Sequence, residues 1–197
     1  DDLALGYRNA FAKILWDRTG VIERKDLVVV DFGCGTGLLT DYLRKHVKQV
    51  ICIDPSSLML QQLEDKIQRA EWPNVQAHCI ALGDPASIAR SGKADKALCE
   101  LEGKVDLIVS SSVFNFIPKN DLPATMDRLG KLLKSNGGIL CHSDWPEGDR
   151  HPDGFTIDRA KEIYRMAGLT ADSMEVTKMQ VMASEESSIF VGVAKKP

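Results

Sequence analysis

The chain has 197 residues, of which 44% are hydrophobic and 27% charged, and its formal net charge is −3. These proportions are typical of one folded globular domain and exclude a disordered or collagen-like chain. Its apolar runs are shorter than the roughly 18 residues of a membrane span, and its acidic balance disfavours binding along a nucleic-acid backbone. No secretory signal is visible, and the five cysteines are scattered along the chain. Both observations predict a cytoplasmic protein with free thiols.

The apolar residues alternate between helical and strand-like spacing along the chain. Residues 7–18 have the spacing of an amphipathic helix. Five short apolar runs predict buried strands at residues 27–32, 50–53, 75–80, 105–109 and 139–142. Helical periodicity between these runs predicts helices at residues 38–47, 60–70, 94–101 and 122–133.

The C-terminal part predicts one more helix and a hairpin. A polar loop covers residues 144–154, and residues 157–167 have helical spacing. Two further strands have the short polar connection of a hairpin: residues 174–182 and 188–194. This order predicts an α/β fold with a doubly wound, seven-stranded, mostly parallel sheet, an antiparallel C-terminal hairpin and helices on both faces. We expect residues 1–24 to form a lead-in helix and lid, and residues 25–197 to form the main domain.

The segment after the first strand is rich in glycine: Asp31-Phe32-Gly33-Cys34-Gly35-Thr36-Gly37. Alternating glycines let a ligand approach the backbone at the carboxyl edge of a sheet, although a tight turn without a ligand is the alternative. The G-x-G-x-G spacing differs from the G-x-G-x-x-G turn that binds a dinucleotide. The carboxylate of Asp31 favours a ligand with ammonium and sulfonium groups. Asp54 ends the second strand, where a carboxylate can accept hydrogen bonds from both hydroxyls of a ribose.

Four segments, in this order, make the chain similar to class I S-adenosylmethionine-dependent methyltransferases. Residues 31–37 resemble the first motif of that family, and residues 53–59 (IDPSSLM) resemble its ribose-binding second motif. Residues 105–114 resemble the strand that lines the methionine end of the cofactor, and residues 132–140 resemble the run into the fifth strand. The resemblance implies an enzyme that takes a methyl group from S-adenosylmethionine and releases S-adenosylhomocysteine.

The resemblance also implies roles for individual residues around the cofactor. The glycine loop would pack against the methionine and ribose, Asp31 would face the amino group and Asp54 would bind the ribose hydroxyls. The full set of implied cofactor-binding residues is Asp31, Gly33, Cys34, Gly35, Gly37, Asp54, Pro55, Met59, Ala81, Leu82 and Ser110.

The residues expected around the adenine of the cofactor match the family pattern least well. Pro55 and Met59 would lie against the adenine ring. Ala81 and Leu82 occupy the position where many relatives carry an acid that binds the adenine amine. Backbone groups, or Asp84 further along the chain, are the alternatives for that contact.

Methyl transfer mainly requires alignment of the two reactants, so a catalytic base is optional. His142 is the candidate general base, with a buried hydrogen-bonding role as the alternative. The predicted substrate pocket consists of Tyr7, Phe114, Phe116, Asp144 and Trp145. Ordinary core packing is the alternative for its aromatic members. The helix around Tyr7 and the polar loop after Asp144 are expected to form the lid.

We expect a small-molecule acceptor with an oxygen, nitrogen or sulfur nucleophile. No Asn-Pro-Pro-aromatic tetrad follows the fourth strand, and the chain has little sequence outside the sheet for gripping a macromolecule. No metal is expected, because the following candidate ligands belong mostly to a turn-rich loop: His142, Asp144, Asp149, His151 and Asp153. A methyltransferase-like binding subunit without catalysis is the alternative function, and an NAD-dependent oxidoreductase is a weaker one.

Overall fold

The structure is a computed structural model that describes residues 2–20, 24–148, 151–152, 154–182 and 185–197. Within these residues one sheet contains seven strands: β1 (Val28–Phe32), β2 (Gln49–Asp54), β3 (Val75–Cys79), β4 (Leu107–Ser111), β5 (Ile139–Asp144), β6 (Thr170–Met182) and β7 (Glu185–Lys195). Their order is β3-β2-β1-β4-β5-β7-β6. Strands β1 to β5 are parallel, whereas β7 is antiparallel to both β5 and β6. The predicted fold class is therefore confirmed.

Helices cover both faces of the sheet: α1 (Asp2–Thr19), α2 (Leu38–Leu43), α3 (Ser57–Arg69), α4 (Pro85–Arg90), α5 (Gly92–Cys99), α6 (Leu122–Leu132) and α7 (Ile157–Met166). Two layers form because successive strand residues point to opposite faces. Val29 of β1 packs in a core with α1, α2 and α3, whereas Val30 packs in a second core with α5, α6 and α7. None of the helices described is long and apolar enough to cross a membrane.

The strand order creates a crevice at the carboxyl end of β1. From β1 the chain adds β2 and β3 on one side, and then crosses to add β4 and β5 on the other side. The loops that leave β1 and β4 therefore diverge, and ligands of doubly wound folds bind at such a point. The sheet thus brings the glycine-rich loop close to the residues that follow β4 and β5.

Several predicted element boundaries are wrong: α1 begins at Asp2 and not at residue 7, α2 ends at Leu43 and not at residue 47, and β6 begins at Thr170 and not at residue 174. Strand β4 is predicted over residues 105–109 but spans Leu107–Ser111, and its last two serines belong to it because both pair with β5. The helix expected over residues 94–101 is replaced by α4 and α5. Asp84 starts α4 early, since its Oδ1 accepts a hydrogen bond of 2.9 Å from a backbone amide in the first turn.

The buried contacts of helix α1 with the core come from the second half of its length. Phe11 and Leu15 are buried in the core, and Trp16 Nε1 donates a hydrogen bond of 2.9 Å to the Tyr42 hydroxyl. Arg18 forms an ion pair with Glu175 of β6. The first half of α1 extends toward the carboxyl edge of the sheet, so a lid role for this helix stays a prediction.

Candidate active site

The carboxyl ends of β1, β4 and β5 border a cavity of about 470 Å³, a volume typical of small-molecule sites. Residues from several helices, strands and loops line this cavity, including Tyr7, Asp31, Gly35, Ser111, Asp144 and Trp145. A second cavity of about 150 Å³ shares Gly33 and Phe116 with the first. We call them the large and the small cavity.

The glycine-rich loop between β1 and α2 turns tightly where the two cavities meet. Gly33 and Gly35 have φ angles of 74° and 53°, which lie in the left-handed region that favours glycine. A Cβ on Gly33 would lie 2.2 Å from Val113 Cγ2. A Cβ on Gly35 would meet no atom of the described residues within 4 Å. The loop is therefore pressed against Val113, while open space at Gly35 lets a ligand approach the backbone.

Asp31 is a buried carboxylate in the lining of the large cavity. Asp31 lies on β1, and only 2% of the residue's surface is exposed. Its Oδ2 accepts a hydrogen bond of 2.6 Å from the Thr40 hydroxyl. Burial raises the pKa of Asp31 from its ordinary value of 3.8 to about 6, although the Thr40 hydroxyl opposes this rise. A cationic group in the cavity would stabilise the ionised form.

Asp54 connects the end of β2 to the glycine loop. Its Oδ2 accepts a hydrogen bond of 2.9 Å from the Gly35 amide, and its Oδ1 accepts one of 2.8 Å from the Ser56 amide. Each carboxylate oxygen has a further lone pair for a ligand donor. Asp54 therefore holds the loop in position and retains the capacity to accept hydrogen bonds from hydroxyl groups.

The small cavity has mostly apolar walls, which include Pro55, Ala81 and Leu82. Met59 lies on α3, is 44% exposed and is not part of this lining. Asp84 is the N-cap of α4, and its carboxylate accepts a hydrogen bond from the first turn of that helix. The small cavity thus offers mostly apolar surface to a ligand.

Cys34 and Gly37 complete the loop. Cys34 lines the large cavity, and its pKa is raised by a hydrogen bond with Cys52 and by burial, so that its thiol stays protonated. Gly37 is at the start of α2, where a Cβ would lie 2.4 Å from Leu63 Cδ1. Gly37 therefore allows close packing between α2 and α3 and is not in the cavity lining.

Five of the predicted site residues are buried and are not in the cavity linings: Gly37, Asp54, Ser110, Phe114 and His142. The ring of Phe114 packs edge-on against His142, with centroids 5.0 Å apart. Phe114 therefore belongs to the core and is not a pocket residue. The Ser110 hydroxyl is buried and has no hydrogen-bond partner among the residues that the structure describes.

His142 has both ring nitrogens occupied. Its Nδ1 lies 2.8 Å from Asp144 Oδ2, and its Nε2 lies 2.9 Å from the Tyr164 hydroxyl. Phe155 and Phe190 also pack against the ring. This arrangement leaves no nitrogen facing the cavity, so we do not retain His142 as a general base; its position is the buried hydrogen-bonding one that was the alternative.

The other four predicted pocket residues lie around the large cavity. Tyr7 and Trp145 contact each other edge to face, with ring centroids 5.6 Å apart, and Phe116 is 75% exposed. Asp144 is 2% exposed and lines the same space. Tyr7 is tied to β7 by a hydrogen bond of 2.9 Å between its hydroxyl and that of Ser187. The fold therefore brings aromatic side chains from distant segments to one cavity, whereas the side chain of Asp144 is 0% exposed.

Several residues of the site carried no recognisable signal in the sequence. Arg8, Met179 and Ile189 line the large cavity, and Asp121 and Thr125 line the small one. They come from helices and strands distant in sequence, and their spacing there indicated only core or surface positions. Only the tertiary fold places them at the site.

The described part of the chain contains no group of three or more His, Cys, Asp or Glu residues arranged to hold a metal ion. His151 stacks on Trp145, with ring centroids 5.2 Å apart. Asp149 and Asp153, which belong to the candidate metal cluster, lie outside the described residues. The structure therefore provides no support for the metal alternative.

The fold and the two cavities define a Rossmann-like domain that resembles known methyltransferases. The sequence model of a family described as methyltransferase domain matches residues 30–139. A methyltransferase of Aquifex aeolicus described as SAM dependent has a similar structure, with a TM-score of 0.69, 18% identity and coverage of 94% of this chain and 89% of that chain. The magnesium protoporphyrin IX methyltransferase of Synechocystis, crystallised with bound SAM, has a TM-score of 0.65 and 18% identity, and covers 100% of this chain and 82% of that chain.

The chain therefore belongs to the methyltransferase domain family, as the motifs predicted. Among its relatives, an uncharacterized methyltransferase of Schizosaccharomyces pombe is 25% identical over 88% of this chain and 61% of its own length. A malonyl-[acyl-carrier protein] O-methyltransferase of Acetivibrio thermocellus is 29% identical over 88% of this chain and 62% of its own length. The chain thus spans less than two thirds of the length of these relatives.

Proposed function

We propose that this chain binds S-adenosylmethionine at the two cavities and transfers its methyl group to a small molecule with an oxygen, nitrogen or sulfur nucleophile. The observation that carries this proposal is the buried carboxylate of Asp31 beside the open backbone at Gly35. A ligand in this space benefits from a positive group near Asp31 and from close contact with the loop. The ammonium group of a methionine moiety meets the first requirement.

The remaining parts of the site fit the rest of that cofactor. Asp54 would accept hydrogen bonds from the ribose hydroxyls through its free lone pairs. The apolar walls at Pro55, Ala81 and Leu82 would pack against the adenine. When bound, S-adenosylmethionine supplies a methyl group on a positively charged sulfur that is a good leaving group.

The chain's own contribution to the reaction is alignment and exclusion of water. Tyr7, Phe116 and Trp145 would contact the acceptor and hold its nucleophile in line with the methyl group. Two relatives are named an O-methyltransferase and a bis-thiomethyltransferase, which supports oxygen and sulfur acceptors for this family. All five cysteines are described and free, which fits the cytoplasmic location that we propose.

Thermal or chemical unfolding in the presence of ligands tests the cofactor directly. We expect S-adenosylmethionine and S-adenosylhomocysteine to stabilise the chain, and NAD at the same concentration to have no effect. Binding to the folded state alone adds about 2.7 kcal/mol to the free energy of unfolding when the ligand is at a hundredfold excess over its Kd. Stabilisation by NAD without stabilisation by S-adenosylmethionine would refute the proposal.

Asp54→Ala is expected to weaken S-adenosylhomocysteine binding by about 1–3 kcal/mol, because the ribose loses charge-assisted hydrogen bonds. Calorimetric titration measures this loss. Asp158→Asn is the matched control, since the Asp158 side chain is 92% exposed on α7 and pairs only with nearby Lys161 in the contacts described. Equal affinity of the two variants would show that the ribose is bound elsewhere.

A further inference from the structure

Two serines from neighbouring strands line the large cavity on the face of the sheet that α1 covers. Val109 of β4 and Cys141 of β5 pack in the core with α1. Because side chains alternate along a strand, Ser111 and Ser143 point to that same face. Both line the cavity, Ser111 is exposed, and the two hydroxyl oxygens lie 3.2 Å apart. One hydroxyl of this pair donates to the other, so one O–H remains for a ligand.

Arg8 supplies a positive charge on the opposite wall of the same cavity. Four residues of α1 line the cavity at the spacing of one helix face: Ala4, Tyr7, Arg8 and Phe11. The Nε and Nη2 atoms of Arg8 lie 3.0 and 2.6 Å from the neutral side-chain oxygen of Asn9. None of the ion pairs among the described residues includes Arg8. Its charge and its remaining N–H groups are therefore available to an anion.

The described lining of the cavity offers the acceptor no accessible base. The carboxylate of Asp144 is 0% exposed and pairs with His142. The Cys34 thiol stays protonated because a hydrogen bond with a second thiol and burial raise its pKa. The Tyr7 hydroxyl is already hydrogen-bonded to β7, and the proposed function assigns Asp31 to the ammonium group of the cofactor. An acceptor that arrives without its proton needs no base, and carboxylic acids are ionised at neutral pH.

We infer, on the basis of the proposed methyl transfer, that the acceptor is a carboxylate on an aromatic or apolar body, bound by Arg8 and by the pair of Ser111 and Ser143. A lone pair of a carboxylate oxygen forms the bond to the methyl carbon, and the electron pair of the broken carbon–sulfur bond stays on sulfur. No proton moves. The negative carboxylate and the positive sulfonium become a neutral methyl ester and a neutral thioether, which suits a cavity that is poor in water.

Apolar side chains around these polar groups suit the body of such an acceptor. Tyr7, Phe116 and Trp145 supply aromatic surface. Met179 of β6 and Ile189 of β7 line the same cavity and belong to the core on the α1 face. An amine with the same body would be repelled by the guanidinium, and an alcohol would bring a proton that no accessible base removes. The head group is thus the part of the acceptor that the cavity selects.

Three probes that differ only in their head group test the inference: 3-phenylpropanoate, 3-phenylpropanol and 3-phenylpropylamine. Binding of each is measured by calorimetry to the chain saturated with S-adenosylhomocysteine. This product has no sulfonium, so any preference among the probes comes from the chain's own residues. We expect the propanoate to bind at least about tenfold more tightly than the amine, with the alcohol between them.

Variants of Arg8 locate the source of this preference. Arg8→Gln keeps a polar side chain but removes the charge, and the preference for the propanoate over the amine is expected to fall to about threefold or less. Arg8→Lys restores a charge and should retain a preference between these two values. Lys13→Gln is the matched control, because it removes the same charge from an exposed position of α1 outside the cavity lining. The control should keep the full preference.

Ser111→Ala tests the hydroxyl pair separately. We expect the propanoate to bind about threefold to tenfold more weakly, since it loses a donor, and the affinity of the amine to change less. If the affinities of the two probes fall by the same factor, the hydroxyl does not recognise the carboxylate and its role is rejected.

The outcomes separate this inference from the proposed function. If S-adenosylhomocysteine does not bind, the proposed function fails and the inference fails with it. If S-adenosylhomocysteine binds but the propanoate binds no more tightly than the amine, or binds to no measurable extent, only the carboxylate acceptor is overturned. A tenfold preference that survives in Arg8→Gln overturns the role of Arg8.

Discussion

Replacing Asp31 by asparagine is expected to stabilise the ligand-free protein at neutral pH and to weaken S-adenosylmethionine binding by about tenfold or more. Asp31 is buried in the lining of the large cavity, and its pKa is raised to about 6 chiefly because burial removes the carboxylate from water. Asparagine keeps an oxygen that accepts the hydrogen bond from Thr40. The buried charge is lost, and with it the attraction for an ammonium group.

The sign of the pH dependence follows from the direction of this pKa change. The folded protein holds the Asp31 proton more tightly than the unfolded chain, whose aspartate has the ordinary pKa of 3.8. The contribution to stability is therefore complete below about pH 4 and is lost as the pH rises through about 6. A rise from 3.8 to about 6 corresponds to about 3 kcal/mol.

Urea unfolding of both proteins between pH 4 and pH 8, without ligand, measures this effect. The variant should gain stability relative to the natural protein as the pH rises from 4 to 7, by up to about 3 kcal/mol. Asp158→Asn again serves as the control, because its exposed carboxylate has no burial cost to relieve. If the free energies of unfolding of Asp31→Asn and the natural protein change in parallel with pH, the raised pKa of Asp31 is contradicted.

Gly33→Ala is expected to lower the free energy of unfolding by about 2–4 kcal/mol and to reduce S-adenosylhomocysteine affinity. Left-handed backbone costs a residue with a Cβ about 1–2 kcal/mol, and the φ of Gly33 is 74°. The new Cβ would also lie 2.2 Å from Val113 Cγ2, so one of the two segments must move. Affinity falls because Gly33 lines both cavities.

A double variant separates the two causes. Gly33→Ala combined with Val113→Ala removes the two closest contacts, with the Cγ atoms at 2.2 and 2.9 Å, but keeps the contact with the Cβ atom at 3.1 Å and the left-handed backbone. About half of the lost stability should therefore return. Val113→Ala alone is the control for the loss of apolar contact. The measurement is urea unfolding of all four proteins. Strictly additive effects of the two changes would show that Gly33 and Val113 do not interact.

The fold and the cofactor side of the site were predictable because their signals are local in the chain. The buried runs, the helical periodicities and the glycine loop each lie within a few neighbouring residues, and the direction of parallel strands brings their carboxyl ends together. Asp31 at the cavity and Asp54 at the end of β2 follow from this rule alone. The length of β4 was less predictable, because Ser110 and Ser111 become strand residues only by pairing with β5.

The acceptor side of the site could not be predicted from the sequence, because it depends on contacts between distant parts of the chain. His142 and Asp144 are two residues apart on β5, so the alternation of a strand allows both to point to the same face. Whether that face meets solvent, substrate or core depends on what packs against it, and Phe155, Tyr164 and Phe190 cover His142. The histidine that had the expected chemistry is therefore buried, and the side chain of Asp144 is buried beside it.

The class of fold, the family and the position of the glycine-rich loop were predictable from the sequence, because they follow from short patterns in a defined order. That His142 and Asp144 are both buried and paired with each other depends on tertiary contacts. Hydrogen-bond partners such as Tyr164 and the space beside Gly192 come from a helix and a strand that are close to His142 only after folding. Burial and pairing, on which proton affinity depends, are properties of that arrangement and not of residue order.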